Sequence, residues 1–210
     1  MVGHSQDWFG FSRYKAENEK MIDSGAYPVV VFMGNSITEN WASYHPDFFS
    51  DHNYCGRGIS GQTSSQMLVR FQSDVIDLHP KAVVIMAGTN DVAHNDYWVD
   101  PEKVVDNVRA MCILAQANGI VPIVCSIMPC SGFPWSPTIK DAGQVIVSIN
   151  ERLKAYAESA HLVYVDYHSA FVDEQLGMPK TISWDGCHPN ANTYYKMEEL
   201  VLEAIGKVLE

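Results

Sequence analysis

The 210-residue sequence lacks any hydrophobic run of the length that a membrane-spanning helix requires, which is roughly 18 residues. We therefore do not expect a membrane protein. Basic residues are scarce as well, because 14 Lys and Arg stand against 25 Asp and Glu and give a formal net charge of −11. Nucleic-acid binding depends on clustered basic side chains that meet phosphates, so we expect no nucleic-acid partner. With 47% hydrophobic residues, the composition is typical of a soluble globular protein.

The sequence also lacks the residue spacings of structural metal sites and disulfide frameworks. No two cysteines have the Cys-x-x-Cys spacing of a zinc site, and the eight histidines are dispersed. The five cysteines are odd in number and lie mostly in or beside apolar runs, which favours reduced, buried thiols. They are Cys55, Cys112, Cys125, Cys130 and Cys187. We expect neither a metal nor a cofactor.

A secretory signal is missing from the N-terminus. Residues 1–6 are polar and contain no basic segment followed by an apolar core. Together with the reduced cysteines, this favours a cytoplasmic protein. A chain from which a signal peptide has been removed would look the same, and it would be periplasmic or secreted.

Five apolar runs predict five β-strands that alternate with helices, without repeats or linkers. The predicted strands cover 29–33, 53–59, 83–87, 120–127 and 162–166. Apolar residues at helical spacing predict helices over 8–24, 68–78, 100–119, 146–160 and 191–209. Since parallel strands need crossover connections that put helices on both faces, we predict a three-layer α/β/α sandwich. It is predicted to be a single domain over residues 1–210, with 1–27 as a helical extension whose aromatic side packs on the domain edge.

A serine, Ser36, lies in the turn that follows the first predicted strand. Its apolar run, Val29–Met33, is typical of a central parallel strand that is buried on both faces. Gly34 ends the run, and Ser36 follows at the carboxyl end of the strand, where ligands bind in open α/β sheets. Ser36 is therefore a candidate nucleophile. The alternative is that Ser36 only caps the next helix, because serine is a preferred N-cap residue.

A glycine-rich turn follows the second predicted strand. Residues 56–61 have the G-x-G-x-x-G spacing that lets a backbone approach a pyrophosphate. The motif follows the second strand instead of the first, and no acidic residue is placed to hold a ribose after the next strand. We therefore favour a turn that brings the backbone close to a smaller group, with Gly61 offering its amide at the start of a helix.

The segment from Trp184 to Asn190 contains an Asp-x-x-His pattern near the C-terminus. Within one tight turn, Nδ1 of His188 can bond to the carboxylate of Asp185 while Nε2 points outward, which would hold a general base in one tautomer. Such a pattern alone is more often a turn with a satisfied histidine. A catalytic role for this pair is favoured because Ser36, the glycine turn and Asn90 also follow strand ends and are expected on the same rim of the sheet.

These motifs resemble those of the GDSL family of esterases and lipases in its SGNH-hydrolase form. The resemblance spans nearly the whole chain, and four blocks occur in the family's order: residues 34–38, 58–61, 88–91 and 185–189. It implies that Ser36 is the nucleophile, His188 the base and Asp185 its orienting acid. It also implies an oxyanion hole formed by Ser36, Gly61 and Asn90, and a flavodoxin-like fold with strand order 2-1-3-4-5 that hydrolyses esters.

Two residues depart from the pattern of this family. Asn35 stands where the family usually has Asp, so one charge is missing beside the nucleophile, although an amide can make the same local hydrogen bonds. Gly56 replaces the asparagine that often opens the second block. A general α/β-hydrolase is a poorer match, because its G-x-S-x-G elbow would need a glycine where Thr38 stands.

Aromatic residues near the predicted rim indicate the substrate class. The candidates for the substrate pocket are Asn35, Arg57, Trp135 and Trp184, with further rim candidates Trp41, Tyr97, Trp98 and Phe133. Aromatic faces suit sugar rings, so we expect a short acyl ester, most simply acetyl, on a carbohydrate. Each ring could equally be a core residue. Arg57 could hold a substrate carboxylate or pair with an acidic side chain at the surface, and the sequence favours the pair.

Two alternatives to a carbohydrate esterase remain open. The first is a lysophospholipase or thioesterase that acts on longer acyl chains, although no long apolar lid segment is present. The second is a non-catalytic carbohydrate-binding module that retains an inactive triad. In each case we expect a small-molecule or carbohydrate ligand.

Overall fold

The structure, a computed structural model, describes residues 7–96 and 100–209. Within these residues, five parallel strands form one sheet in the order β2-β1-β3-β4-β5. The strands are β1 (Val30–Gly34), β2 (Tyr54–Gly58), β3 (Ala82–Ile85), β4 (Val121–Cys125) and β5 (Val163–Val165). Strand direction and order confirm the predicted α/β sandwich, and the five strands lie within one or two residues of the predicted runs.

Helices cover both faces of the sheet in the described ranges. They are α1 (Lys15–Ser24), α2 (Ser36–Tyr44), α3 (Pro46–Asp51), α4 (Ser64–Asp74), α5 (Thr89–Val92), α6 (Pro101–Ala117), α7 (Ala142–Ser159), α8 (Tyr167–Phe171) and α9 (Ala191–Leu209). Helices α4, α6 and α7 bury their apolar sides on one face, and α2, α3, α8 and α9 do so on the other. None of the described helices is long and apolar enough to cross a membrane.

Strand β1 shows why the central runs are continuously apolar. Side chains alternate between the two faces of a strand, and Val31 and Met33 enter one core while Val30 and Phe32 enter the other. All four are at most 2% exposed. A strand covered on both sides has no position for a polar side chain, so its sequence is apolar until the strand ends.

The N-terminal segment differs from the prediction. Helix α1 covers only the second half of the predicted helix, because Gly10 has a φ of +76° and the carboxylate of Asp7 instead accepts hydrogen bonds from the amides of Phe11 and Ser12. The expected aromatic packing is wrong for three of the rings, which are exposed: Trp8, Phe9 and Phe11. Tyr14 is buried and donates a hydrogen bond to the carbonyl of Gly58. Residues 1–6 of the predicted extension lie outside the described residues.

Two glycines let helix α2 approach the ends of β1 and β2. Gly34 and Gly58 are paired in register as the last residues of their strands. A Cβ atom on Gly58 would lie 2.2 Å from the backbone nitrogen of Glu39, and one on Gly34 would lie 2.0 Å from Oγ1 of Thr38. The absence of side chains at both positions therefore allows the first turn of α2, which carries Ser36, to pack directly against the sheet.

Candidate active site

Ser36 is the first residue of α2 and lies at the carboxyl end of β1. The preceding Asn35 is the N-cap, and its side-chain oxygen accepts a hydrogen bond of 3.0 Å from the amide of Ile37. The side-chain amide of Asn35, which stands where the family usually has the carboxylate of Asp, therefore makes this capping hydrogen bond. The hydroxyl of Ser36 is not consumed in capping, because its Oγ lies 2.9 Å from Nε2 of His188, 152 residues later in the chain.

The turn around His188 holds the imidazole in one orientation. Nδ1 of His188 lies 2.7 Å from Oδ2 of Asp185. The other carboxylate oxygen accepts hydrogen bonds from the backbone amides of Cys187, at 2.9 Å, and His188, at 2.7 Å. Partial burial raises the pKa of Asp185, but these hydrogen bonds from His188 and Cys187 outweigh it, so the pKa is lowered overall. Asp185 is therefore ionised at neutral pH.

Ser183 supports the same turn and escaped the sequence analysis. Its hydroxyl donates to the carbonyl of His188 at 2.7 Å and accepts from the amide of Gly186 at 2.8 Å. Gly186 has a φ of +85°, which allows the turn to close. A serine two residues before Asp185 has no distinctive spacing, so the sequence offers no signal for this role.

The opposite side of the cleft is formed by the turn after β2 and by helix α5. Gly61 has a φ of +80°, and Asn90 lies in α5 with only 3% of its surface exposed. Nδ2 of Asn90 donates to the carbonyl of Gln62 at 2.9 Å, which joins the two segments. Asp91 joins them again, because its buried carboxylate accepts hydrogen bonds from the amide and hydroxyl of Ser64 at the start of α4.

An open cleft of about 440 Å³ lies between these two sides. Its lining contains the residues expected from the motifs and several others: Ser36, Asn40, Ser60, Gly61, Asn90, Asn95, Trp135, Trp184 and His188. The structure therefore brings together Ser36, Asp185 and His188, and it places Gly61 and Asn90 across the cleft from His188. Asn40, Ser60 and Asn95 are lining residues that sequence reasoning missed.

Two indole rings flank the imidazole. Trp184 stacks on His188 with ring centroids 5.2 Å apart and an interplanar angle of 13°. Trp135 lies 5.7 Å from His188 at 43°. Trp184 is 64% exposed and Trp135 is 42% exposed, so both present apolar faces to the opening of the cleft. Both rings line the cleft, and their role in a substrate pocket stays a prediction.

Three of the other candidates, Asn35, Trp41 and Phe133, do not line the cleft. Asn35 is 1% exposed and serves as the N-cap described above. Trp41 and Phe133 are buried in the core, because their helix and loop pack onto the sheet. Tyr97 and Trp98 lie outside the described residues.

Arg57 is buried at the start of the glycine turn, and its contacts decide between the two interpretations of the sequence. Its guanidinium donates to Oδ1 of Asn18 at 2.7 and 3.0 Å and to Glu17 at 3.2 Å, and it lies over the ring of Tyr14. Arg57 is only 1% exposed and does not line the cleft, so it is not placed to hold a substrate carboxylate there. Its partner Glu17 is 52% exposed, so the favoured pair with an acidic side chain at the surface is confirmed. A buried guanidinium needs such partners, because removing a charge from water without them is costly.

A second buried arginine, Arg70 of α4, ties the ends of β1 and β2 together. Its guanidinium donates to the carbonyl of Gly34 at 3.0 Å, to the carbonyl of Arg57 at 2.9 Å and to the side chain of Gln62 at 2.6 Å. Asp74, one turn later, supplies the counter-charge at 2.8 Å. The sequence gives no hint of this role, since arginine is common on exposed helix faces.

Glu39 holds the glycine turn from the side of α2. One carboxylate oxygen accepts hydrogen bonds from the amide of Ser60, at 2.8 Å, and from its hydroxyl. The other oxygen accepts from Arg13 at 2.9 Å. Burial raises the pKa of Glu39, but the hydrogen bonds from Ser60 and Arg13 lower it below its usual value. An ionised Glu39 therefore links the helix of Ser36 to the residue before Gly61.

Several known proteins are similar to this chain. The GDSL-like lipase/acylhydrolase family matches residues 32–196. A GDSL-like lipase from Bacteroides thetaiotaomicron is 44% identical and superposes with a TM-score of 0.93, covering 97% of this chain and 100% of that chain. An acetylxylan esterase from Geobacillus stearothermophilus is 26% identical over 162 residues, which are 71% of this chain and 70% of that protein.

A shorter match involves the uncharacterized lipoprotein YqeF of Bacillus subtilis. It is 36% identical over 75 residues, which are 34% of this chain. The match covers only 31% of the length of that lipoprotein.

Proposed function

Because the chain belongs to the GDSL-like lipase/acylhydrolase family, we propose that it is a serine esterase that removes a short acyl group, acetyl in the simplest case, from a carbohydrate. The observation that carries the proposal is the continuous contact from Ser36 Oγ through His188 to Asp185, at 2.9 and 2.7 Å, with Ser36 and His188 lining an open cleft. A nucleophile, a base and an orienting acid in this arrangement support acyl transfer.

The reaction begins when Ser36 attacks the ester carbonyl and Nε2 of His188 takes the hydroxyl proton. Asp185 keeps the other ring nitrogen protonated and stabilises the imidazolium that forms. His188 then gives the proton to the departing alcohol, which leaves an acyl group on Ser36. Water, activated by the same imidazole, hydrolyses this acyl-enzyme and returns the serine.

Charge on the carbonyl oxygen builds up during both steps and needs hydrogen-bond donors on the opposite side of the cleft. We assign this role to the amides of Ser36 and Gly61 and to the side chain of Asn90. Each donor of this type contributes roughly a hundredfold to a thousandfold in rate. The second hydrogen on Nδ2 of Asn90 is available for this contact, because the first is bound by the carbonyl of Gln62.

The shape of the cleft supports a short acyl group on a ring-shaped alcohol. The cleft is open, and the exposed faces of Trp135 and Trp184 flank the imidazole that must protonate the leaving alcohol. Indole faces pack well on the apolar faces of rings while leaving polar edges free. The similarity to an acetylxylan esterase supports the same substrate class.

The first experiment compares the wild-type protein with Ser36→Ala on acyl esters from acetate to palmitate. We expect the highest kcat/KM at acetate, and we expect Ser36→Ala to abolish hydrolysis with an unchanged circular dichroism spectrum. Unchanged turnover by Ser36→Ala would contradict the assignment of the nucleophile. A maximum at long chains would favour a lysophospholipase or thioesterase.

Covalent labelling separates an enzyme from a binding module with an inactive triad. A fluorophosphonate reacts with a serine only when a base and an oxyanion hole activate it. We expect one label per wild-type chain, on Ser36, and none on Ser36→Ala. A wild-type protein that binds acetylated oligosaccharides but takes up no label would be a carbohydrate-binding module.

A further inference from the structure

Asn95 lies beside the proposed oxyanion donor Asn90 but belongs to none of the motif blocks. It follows α5 by three residues and lines the cleft. Its Nδ2 donates to Oδ1 of Asn90 at 3.0 Å and to the carbonyl of Gly61 at 3.0 Å. Its Oδ1 accepts from Nε1 of Trp135 at 3.0 Å. One side chain therefore touches two proposed oxyanion-hole residues and one exposed indole.

The direction of this chain of hydrogen bonds is fixed at both ends. The indole Nε1 of Trp135 is only a donor, so the oxygen of Asn95 must face it. The carbonyl oxygen of Gly61 is only an acceptor, so the amide nitrogen of Asn95 must face the opposite way. Neither end can reverse its role, and the amide of Asn95 has one satisfied orientation.

This orientation determines that of Asn90. An asparagine amide can rotate by half a turn with little change in shape, which would exchange its oxygen and nitrogen. In Asn90 such a rotation would set its nitrogen against the nitrogen of Asn95 and its oxygen against the carbonyl of Gln62. Both new contacts would be repulsive. In the observed orientation the nitrogen faces Gln62 and keeps one hydrogen for a ligand oxygen.

We propose that Asn95 is a positioning residue that holds the amide of Asn90 in the orientation that donates to the oxyanion, and that the N–H of Trp135 sets Asn95 in turn. This inference rests on the proposed esterase function. It gives Trp135 a second role, because the ring that faces the opening of the cleft also orders a group behind the oxyanion hole. A leaving group packed on that ring would stabilise the same chain of hydrogen bonds.

The test begins with two substitutions of Asn95. Asn95→Asp keeps the shape but replaces the donor by an acceptor that repels Oδ1 of Asn90, and we expect kcat to fall about 100-fold, close to the loss of an oxyanion donor. Asn95→Ala removes the contact without repulsion, and Gln62 still holds Asn90, so we expect a fall of about tenfold. KM should stay within about twofold in both variants, because ground-state binding does not use this group.

The matched control for the added charge is Asn118→Asp. Asn118 is exposed and precedes β4, at the end of the sheet away from the cleft. We expect its kcat to equal that of the wild type. Trp135→Phe keeps an aromatic ring but removes the N–H together with the five-membered part of the indole, and we expect a fall in kcat of about threefold with an unchanged melting temperature.

A double-mutant cycle distinguishes positioning from a general structural effect. If Asn95 acts through Asn90, then Asn95→Ala should change kcat by less than about threefold in an Asn90→Ala background, because the amide to be positioned is gone. The inhibition constant of an alkyl boronic acid, which mimics the tetrahedral intermediate, should rise in parallel with the loss of kcat/KM. Additive effects, or a boronic acid that binds Asn95→Asp as well as the wild type, would overturn the inference.

Failure of this inference is distinguishable from failure of the proposed function. A wild-type protein that hydrolyses no acyl ester and takes up no fluorophosphonate on Ser36 would overturn both. An active wild-type protein with an Asn95→Asp variant of equal kcat would overturn only the role of Asn95.

Discussion

The two sides of the cleft are held in place in different ways. The turn of His188 is stabilised by hydrogen bonds among residues at most five positions apart, such as those that Asp185 and Ser183 make with it. The glycine turn on the other side is held by distant residues. Ser60 is bound by Glu39, 21 positions earlier, and Gly61 by Asn95, 34 positions later.

Because of this difference, substitutions on the two sides of the cleft should affect kcat and the free energy of unfolding to different extents. The hydrogen bonds that Asp185 and Ser183 make within this turn lie inside one loop, so altering them should have little consequence for the rest of the fold. The glycine turn shares its partners with the core, because Arg70 binds both this turn and the end of β1. We therefore expect changes near His188 to act mainly on kcat, and changes beneath the glycine turn to act also on the free energy of unfolding.

The largest effect is expected from Asp185→Asn. The amide would no longer select the tautomer of His188 that presents an unprotonated Nε2 to Ser36, and it could not stabilise the imidazolium. We expect kcat to fall roughly 1,000-fold to 10,000-fold, while the melting temperature changes little. Steady-state kinetics and thermal unfolding of the same preparation measure both. A variant that unfolds well below the wild type would contradict the view that this turn is energetically local.

The same comparison explains how much of the site could be predicted from the sequence. Strand ends are marked by the stop of an apolar run, so Ser36, Gly61 and Asn90 could be placed on one rim, and the short Asp-x-x-His spacing made a contact between Asp185 and His188 expected. Which residues bind Arg57 could not be predicted, because Arg57 lies in β2 and its partners Glu17 and Asn18 lie in α1, 40 and 39 positions earlier.

The missed residues share this dependence on distant partners. Arg70 and Asn95 carry no spacing signal, since what each side chain binds is decided by how a helix or a loop packs. The N-terminal aromatic segment was mispredicted for a similar reason, because the positive φ of Gly10 and the capping by Asp7 are properties of a turn and not of helical periodicity. The pattern of apolar residues predicts which face of a helix or strand is buried, but it does not predict the polar contacts between one helix or strand and another.

The second largest effect is expected from Arg70→Met. The substitution removes two hydrogen bonds to the ends of β1 and β2 and one to the side chain of Gln62. It also leaves the 3%-exposed side chain of Asp74 without its counter-charge. Breaking a buried pair in this way costs about 3 to 5 kcal/mol, which urea denaturation would detect as a lower midpoint. Ser183→Ala serves as the control from the other side of the cleft, with an expected cost of about 1 kcal/mol. Equal losses in the two variants would contradict the difference between the two sides.

A smaller effect is expected from pH. The pKa of Asp185 is lowered in the folded state, so its carboxylate stabilises the fold at pH values above the unfolded pKa of about 4. This contribution is lost as the pH falls through the lowered pKa. The free energy of unfolding of the wild type should therefore approach that of Asp185→Asn below about pH 4. Urea titrations of both proteins from about pH 3 to about pH 7 test this, and a difference that grows on acidification would contradict it.

The smallest effect is expected from Glu39, on the side of the glycine turn, where one pair of variants compares the contacts of its two carboxylate oxygens. Glu39→Gln weakens the acceptor of the Ser60 amide, and Ser60 precedes the proposed oxyanion donor Gly61, so we expect kcat to fall about threefold to tenfold. Arg13→Met removes only the ion pair on the other oxygen, whose Arg13 side chain is 52% exposed, and should change kcat less than about twofold.

Glu39→Gln and Arg13→Met distinguish the hydrogen bond between Glu39 and Ser60 from the ion pair between Glu39 and Arg13. If Arg13→Met lowers kcat as much as Glu39→Gln, the ion pair would matter through the electrostatics of α2 and not through the turn. If Glu39→Gln leaves kcat unchanged, the glycine turn would be held sufficiently by Arg70 and Asn95 alone. The first result would show that the ion pair itself contributes to kcat, and the second would show that the contact between Glu39 and Ser60 is redundant.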